Sequence, residues 1–325
     1  MHPFAAPGRS PIEIGLLNNA PDAALHASER QFTHLLRAAA GADEVRLQFF
    51  SLPQIARGDH TRTYMRGFYG DLDDLFDAGL DGLIVTGAEP SAADLADEPY
   101  WESLTQLIDW AETGVAASYW SGAAAHAAVQ HLDGLLPTAL GAPCCGVFTF
   151  DPVGEDPMLA HRPKSIRTPH ARDHGLDPEA LTAHGYAILT QSTEAGVDSF
   201  VRREGGLMVL AQGHPEYDAE TLLADYCREV GRFLCGERDA RPPVPTNYLN
   251  RKTTRTLGSI ARRKPAPALI ARYNAIAAMA TPRQVWRSSA VALFRNWLHH
   301  IAASKVKAAR TALKSRSRVG LNAHP

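Results

Sequence analysis

Short apolar runs, each followed by a segment with helical spacing, recur along the first half of the chain. The runs of strand length cover residues 11–18, 46–52, 81–86 and 115–120. The segments with helical spacing cover residues 26–39, 100–112 and 121–132. A continuous apolar run is typical of a strand buried on both faces, and intervening helices provide the crossovers that parallel strands need. The pattern predicts an α/β protein with a doubly wound sheet and helices on both faces.

The second half of the chain has a different pattern. Residues 146–150 have strand character, and residues 197–202 and 207–212 predict a hairpin joined through Glu204, Gly205 and Gly206. A helix is predicted over 221–234, and further helical patterns cover 268–280 and 286–303. The predicted organisation is an N-terminal arm (1–10), a main domain (11–250), a basic insertion (251–285), a C-terminal helix packed on the domain (286–304) and a basic, disordered tail (305–325).

Composition excludes several classes of protein. A chain of 325 residues with 45% hydrophobic residues can bury a substantial core. No run of 18 apolar residues is present, and the N-terminal residues lack the pattern of a secretory signal, so we expect no membrane span. The four cysteines form no CxxC pair and no Cys/His ligand spacing. We therefore expect a cytoplasmic protein with reduced thiols and no metal site.

Charge is distributed very unevenly along the chain. Residues 250–325 contain 16 of the 33 Lys and Arg residues and no acidic residue, which leaves 17 basic against 35 acidic residues before them. An anionic partner such as nucleic acid would explain this, but aromatic residues are sparse there and no recognition motif is present. A solubilising tail, or docking on the acidic body of a neighbouring subunit, explains it better. The basic residues form two blocks: Arg251, Lys252, Arg255, Arg262, Arg263, Lys264 and Arg272, then Lys305, Lys307, Arg310, Lys314, Arg316 and Arg318.

An ordered set of motifs resembles the homoserine O-acyltransferase family. It includes PIEIGLLNNAP at 11–21, DGLIVTGAEP at 81–90, TPH at 168–170 and GHPEYD at 213–218. The resemblance implies a class I glutamine-amidotransferase-like fold. It also implies transfer of an acyl group from succinyl-CoA or acetyl-CoA to the hydroxyl of homoserine, in methionine biosynthesis. No bound cofactor is implied beyond the acyl-CoA co-substrate, and a homodimer is expected.

The resemblance also implies a catalytic group. The family uses a cysteine, a histidine and a glutamate, and the last two fall on His214 and Glu216. Positions two apart at a strand end point to the same side, so both can address one site. Counts along the family pattern from both flanks place the cysteine on Gly122. Ser121, one residue earlier, is the alternative nucleophile, although its side chain would point the other way unless the strand register slips.

Substrate-contacting positions follow from the same resemblance. Arg228 falls on the arginine that holds the homoserine carboxylate, a role suited to a planar guanidinium. Ser91 falls where glycine accompanies succinyl transfer and glutamate accompanies acetyl transfer, and the small neutral serine favours succinyl. Arg172 is retained, whereas Ala171 replaces a substrate-contacting serine and Pro143 replaces an active-site lysine.

These replacements leave three hypotheses open. The first is acyl transfer to homoserine or a related amino acid without a covalent step, with His214 as general base. The second is a pseudoenzyme that binds a ligand or partner, and the third, which the sequence supports least, is binding to nucleic acid. Cys144 and Cys145 lie beside the Pro143 position but away from Gly122 in the sequence, and we expect them to be small apolar residues.

Overall fold

The computed structural model describes residues 10–92, 94–261 and 266–321, and gives the backbone alone for 260, 261 and 312–321. Within these residues the strands are β1 (Ile12–Leu17), β2 (Val45–Phe50), β3 (Tyr69–Gly70), β4 (Gly82–Thr86), β5 (Ala117–Ser121), β6 (Thr138–Pro152), β7 (Ile166–Gly175), β8 (Ala187–Ser192), β9 (Gly196–Arg202) and β10 (Leu207–Ala211). The α-helices are α1 (Asp22–Ala40), α2 (Asp59–Met65), α3 (Leu72–Asp77), α4 (Trp101–Gly114), α5 (Ala123–Asp133), α6 (Pro178–Ala183), α7 (Thr221–Cys235), α8 (Arg251–Ala261), α9 (Ala268–Ala278) and α10 (Arg287–Leu321).

All ten strands join one sheet in the order β3-β2-β1-β4-β5-β10-β9-β8-β6-β7. The strands from β3 to β10 in this order pair in parallel. The pairs from β10 to β7 are antiparallel, and β9 and β10 form the predicted hairpin. The predicted α/β doubly wound sheet is confirmed, with an antiparallel extension on one side.

Apolar side chains cover the sheet on both faces. On β4, Leu83 and Val85 belong to one buried layer and Ile84 to the other, as the alternation of a strand requires. Helices α1 and α10 contribute to the Ile84 layer, for example through Phe32 and Trp297. Helices α3, α4 and α5 contribute to the opposite layer. The helices therefore pack on both faces of the sheet.

The parallel strands end together at one edge. Thr86 at the end of β4 pairs with Ser121 at the end of β5, and Ser121 pairs with Ala211 at the end of β10. The turns that follow these three strands are therefore neighbours. Ligands of open α/β sheets bind outside the carboxyl ends of the strands, so this edge is where a site is expected.

The antiparallel part is larger than the sequence pattern predicts. The strand expected at 146–150 extends over the whole of β6, and neither β7 nor β8 was predicted. The missed strand β7 contains several exposed polar residues, so the apolar pattern of a buried strand is absent there. An edge strand needs an apolar pattern on one face only, which makes it harder to detect.

The C-terminal residues also differ from the prediction. The tail expected to be disordered from residue 305 instead continues α10, whose backbone is helical to Leu321. Ala, Lys and Arg are strong helix formers, and Lys305 Nζ anchors the helix by donating to Asp81 Oδ2 at 2.5 Å and to the Pro11 carbonyl at 2.8 Å. The division into segments stays a prediction.

Other predicted features fall partly outside the described residues. Of the arm at 1–10, only Ser10 is described, and Arg262, Arg263 and Lys264 of the first basic block lie outside the description. The side chains of Lys314, Arg316 and Arg318 also lie outside it. Within the described part of the chain, α8 and α9 pack against α7 around Tyr226 and Tyr273. None of the helices described is long and apolar enough to cross a membrane.

Candidate active site

A sharp turn connects β5 to α5. Gly122 has φ +59° and ψ −122°, and its N–H donates to the Ala211 carbonyl at 2.8 Å, which ties the turn to β10. A positive φ of this kind strains any residue with a Cβ, and glycine adopts it freely. Strained strand-to-helix turns of this type carry the nucleophile in α/β-hydrolases. Here the turn has the backbone of such an elbow without a side chain.

His214 faces this turn from the loop after β10. A Cβ built on Gly122 would lie 3.3 Å from His214 Nε2 and 2.9 Å from its Cε1. The backbone N–H of His214 donates to the Pro169 carbonyl at 2.9 Å, which fixes the loop against β7. A side chain at position 122 would therefore reach Nε2, the ring nitrogen available for proton transfer.

Glu216 orients the imidazole from the other side. Its Oε1 accepts from His214 Nδ1 at 2.9 Å, and the glutamate is 4% exposed. This contact selects the tautomer that leaves the Nε2 lone pair directed at the turn. Burial lowers the pKa of His214, but the charge and hydrogen bond of Glu216 outweigh burial and raise the pKa above its ordinary value.

Ser121 lies on the wrong side of the imidazole for a nucleophile. Its buried hydroxyl donates to Glu216 Oε1 at 3.0 Å and is 3.4 Å from His214 Nδ1. That nitrogen already donates to Glu216, so it cannot accept a proton from the serine. The register slip that a catalytic Ser121 needs is absent, because Ser121 pairs with Thr86 and Ala211 as the last residue of β5. The geometry assigns Ser121 to the support of Glu216.

The first turn of α5 supplies a donor beside the elbow. Within the described part of the chain no acceptor takes the N–H of Ala123, as is usual for the first residues of a helix. A Cβ built on Gly87, in the turn after β4, would lie 2.9 Å from the Ala123 nitrogen. The two turns therefore approach each other closely. A free N–H at a helix N-terminus is suited to stabilise a developing oxyanion.

Arg228 is linked to His214 through two residues that the sequence analysis did not predict. Its Nη1 donates to Asp225 Oδ1 at 2.9 Å, and Tyr217 Oη donates to Asp225 Oδ2 at 3.0 Å. The Tyr217 ring stacks on His214, with centroids 4.5 Å apart and planes 9° apart. Burial lowers the pKa of Arg228, but the charges of Asp225 and Glu89 outweigh it and raise the pKa. Arg228 therefore borders the site near the turn after β4.

The other predicted substrate residues are engaged elsewhere. Arg172 donates through its two terminal nitrogens to the His174 and Ala195 carbonyls at 2.6 and 2.5 Å. Ala171 is exposed on β7, and the Ser91 hydroxyl donates to the Glu98 carboxylate at 3.0 Å. Among the described contacts, none joins Ser91, Ala171 or Arg172 to His214. A direct substrate contact by Arg172 is therefore not supported by its position.

A buried polar cluster packs against the loop that carries His214. The sequence analysis did not predict this cluster. His170 Nε2 and Asp198 Oδ1 are 3.1 Å apart, and Arg172 Nε donates to the other His170 nitrogen at 3.2 Å. A Cβ built on Gly213 would lie 2.6 Å from Asp198 Oδ1 and 2.7 Å from His170 Nε2. The cluster thus packs directly against the backbone that precedes His214. His170 belongs to the TPH motif, which was the only signal for it in the sequence.

Cys144 and Cys145 are not suited to act as nucleophiles. Burial raises the pKa of Cys144, and it raises the pKa of Cys145 to about 12. Both thiols stay protonated near neutral pH, whereas a nucleophilic cysteine needs its thiolate. Cys144 packs in the apolar core beside Phe148.

One surface groove lies at the opposite end of β10 from these residues. It measures about 510 Å³ and lies where β10 begins, beside Arg203, Gly206 and His300. None of the predicted site residues lines it. Because its position is the amino edge of the parallel strands, it is not where this type of sheet usually binds its substrate.

Comparison with known proteins points to one family. The sequence model of a family described as homoserine O-succinyltransferase matches residues 7–307. The homoserine O-succinyltransferase of Rhodopseudomonas palustris is 45% identical over 294 residues, which cover 90% of this chain and 88% of that protein. Those of Methylorubrum extorquens and Bradyrhizobium japonicum are 43% and 40% identical, covering 88% and 90% of this chain and 86% and 92% of theirs.

Solved structures resemble the chain in fold alone. SMU.1228c superposes with a TM-score of 0.51 at 13% identity, covering 89% of this chain and 100% of that one. A glutamine amido transferase from Methylobacillus flagellatus gives 0.49 at 15% identity, over 89% and 94% of the two chains.

Proposed function

Since the chain belongs to the homoserine O-succinyltransferase family, we propose that it transfers the succinyl group of succinyl-CoA to the hydroxyl of homoserine, a step of methionine biosynthesis. The observation that carries this proposal is the hydrogen bond between His214 and Glu216, which leaves His214 Nε2 facing the turn at Gly122. In this proposal His214 is the base, Glu216 is the carboxylate that orients it, and no side chain at position 122 carries the acyl group.

The proposed reaction is a direct transfer. His214 Nε2 accepts the hydroxyl proton of homoserine, and the oxygen attacks the thioester carbonyl carbon of the acyl-CoA. The N–H of Ala123 stabilises the negative charge on the carbonyl oxygen. The C–S bond then breaks, and the CoA sulfur takes the proton from the imidazolium. General base catalysis contributes about 10²–10⁴-fold, and correct positioning contributes more, so transfer does not require a covalent intermediate.

The absence of a side chain at Gly122 has a geometric consequence for this reaction. A Cβ there would lie within 3.3 Å of Nε2, so any side chain would fill the space beside the base. With glycine, that space is open to the hydroxyl of the acceptor. The same residue that removes the covalent step therefore provides room for the direct one.

Arg228 supplies recognition of the acceptor in this proposal. Its side chain is 40% exposed, and it has one terminal nitrogen on Asp225 and further donors to offer to a carboxylate. Ser91 at the acyl position adds no charge of its own, which supports the larger succinyl group, although its hydroxyl is bound to Glu98. We propose a homodimer from the same family membership, which light scattering tests.

Two-substrate kinetics combined with mass spectrometry of the intact protein test the proposal. We expect O-succinylhomoserine, intersecting double-reciprocal lines and no acylated protein after incubation with succinyl-CoA. Parallel lines with an adduct on Ser121 would overturn the direct mechanism. The same experiment with acetyl-CoA tests the choice of donor, since a preference for acetyl would contradict the proposed substrate.

A pseudoenzyme is the second candidate function. It is favoured by one observation, the absence at Gly122 of any group that could carry the acyl chain. Calorimetry with homoserine and CoA separates the two functions. Binding of homoserine without any product, from protein whose cooperative unfolding shows that it is intact, would favour the pseudoenzyme.

A further inference from the structure

Tyr217 makes two different contacts at the site. Its ring lies parallel to the His214 imidazole, with the centroids 4.5 Å apart. Its hydroxyl donates at 3.0 Å to Asp225, whose other oxygen accepts from Arg228 at 2.9 Å. Burial and the charge of Asp225 raise the pKa of Tyr217, so the hydroxyl remains a protonated donor. One side chain therefore contacts the proposed base and the partner of the proposed substrate-binding arginine.

The backbone of Tyr217 is held independently of these contacts. Its carbonyl accepts from Gln284 Nε2 at 2.6 Å and from Trp286 Nε1 at 2.9 Å. Trp286 is fully buried, and both donors lie where the basic insertion ends and the C-terminal helix begins. Because the backbone is fixed from this side, the ring and hydroxyl of Tyr217 have defined positions in the site.

Packing alone does not explain why this residue is a tyrosine. A phenylalanine would stack on His214 equally well, since the stacking uses only the ring. The hydroxyl matters only through Asp225, and Asp225 matters at this position through Arg228. The side chain of Asp225 is 20% exposed and that of Arg228 is 40% exposed, so their pairing is not enforced by a tight core.

We propose that Tyr217 is a positioning residue that couples the two halves of the site. Its ring fixes the plane of the His214 imidazole, and its hydroxyl holds Asp225 so that the Arg228 guanidinium stays in one orientation. The consequence for homoserine rests on the binding role proposed above for Arg228. The coupling itself is a property of the free protein and does not depend on turnover.

Two substitutions separate the roles of the ring and the hydroxyl. Tyr217→Phe removes only the hydroxyl, so we expect the Arg228 guanidinium to become mobile while His214 titrates as before. Tyr217→Leu also removes the ring face that stabilises the imidazolium, so we expect the pKa of His214 to fall by about half a pH unit. NMR of selectively labelled protein measures both, through relaxation at Arg228 Nε and the titration of His214.

Tyr186→Phe is the matched control. Tyr186 is buried and donates to Asp133 at 2.5 Å, a tyrosine–aspartate bond of the same kind that lies at the far end of α5. Its loss should lower stability without altering Arg228 or His214. A merely structural role of Tyr217 would make the two Tyr→Phe variants behave alike.

Homoserine affinity provides the functional readout. We expect Tyr217→Phe to weaken homoserine binding, and raise its KM, by about tenfold, the equivalent of one hydrogen bond to a charged group. In an Asp225→Asn background the same substitution should have no further effect, because the two residues act in series. Unchanged Arg228 mobility in Tyr217→Phe, or an unchanged His214 titration in Tyr217→Leu, would overturn the proposal. Failure of the wild-type protein to bind homoserine would instead count against the proposed function and leave both NMR readings valid.

Discussion

Replacing Gly122 by cysteine restores a side chain where the elbow lacks one. A cysteine Cβ at this position would lie 3.3 Å from His214 Nε2, so its sulfur would be within reach of the base. Such a pair can form a thiolate and accept an acyl group. We expect Gly122→Cys to form a thioester with succinyl-CoA and to change the kinetics from a ternary-complex pattern to a ping-pong pattern.

The substitution should also destabilise the protein by a predictable amount. Gly122 has φ +59°, where a residue with a Cβ is strained by about 1–3 kcal/mol. The new Cβ would also lie 2.9 Å from His214 Cε1, so the imidazole must move by a few tenths of an ångström. A loss of about 2 kcal/mol corresponds to a fall in Tm of about 3 °C for a chain of this size. Differential scanning calorimetry measures it, and addition of succinyl-CoA should recover part of the loss.

Gly134→Cys is the control for this experiment. Gly134 lies at the other end of α5 with φ +67°, and a Cβ built there meets nothing within 4 Å. It puts a Cβ on a positive-φ residue in the left-handed helical region, without a contact to His214, so it should lose some stability but remain unacylated. Acylation of both variants would indicate nonspecific chemistry. A folded Gly122→Cys protein that is never acylated would refute the assignment of position 122 as the elbow.

Substitutions at three further positions test the remaining roles at the site. Ser121→Ala should lower kcat/KM by no more than about tenfold, because it removes one hydrogen bond to Glu216, whereas loss of a true nucleophile costs about 10⁴–10⁶-fold. In the wild-type protein, kcat/KM should rise with pH and level off above the raised pKa of His214, because the base must be neutral. Glu216→Gln should move this inflection to lower pH, since the carboxylate stabilises the imidazolium. Arg228→Ala should raise the KM for homoserine by about 10–100-fold and leave the KM for succinyl-CoA unchanged, and Arg228→Lys should recover only part of the loss. Steady-state kinetics with each substrate varied in turn measure both constants. A rise of both KM values together would contradict the prediction.

The parallel strands of the sheet could be predicted from the sequence. The predicted runs at 11–18, 81–86 and 115–120 coincide with β1, β4 and β5, because strands buried on both faces are largely apolar. The strands of the antiparallel extension have a weaker apolar pattern in the sequence. In β7 only some positions are buried, and polar residues such as Arg167 and His174 lie between them. Such a strand has no continuous apolar run to detect.

The same contrast holds for the site. His214 and Glu216 could be predicted together because two positions at a strand end share a side, and the structure brings them to one elbow. The alternation of strand side chains also argued against Ser121, which the structure places on the opposite ring nitrogen. By contrast, the contact of Tyr217 with Asp225 depends on how α7 approaches the loop, and no spacing in the sequence specifies that.

The C-terminal helix provides a last test, because its extent in the structure differs from that predicted from the sequence. From the sequence it is a helix of 18 residues followed by a tail, whereas in the structure α10 runs on and packs across the face of the sheet. Each fully buried large side chain contributes about 1.5–3 kcal/mol, so five of them contribute about 8–15 kcal/mol, as much as the whole stability of a typical domain. The buried side chains are those of Trp286, Phe294, Trp297, Leu298 and Ile301. A chain that ends at Val285 should therefore fail to fold, while one that ends at Thr311 keeps every one of these contacts and should unfold cooperatively with a Tm close to that of the full chain. Circular dichroism melts of both truncations decide the matter, and cooperative unfolding of the shorter chain would show that α10 is an accessory to a core that is already complete.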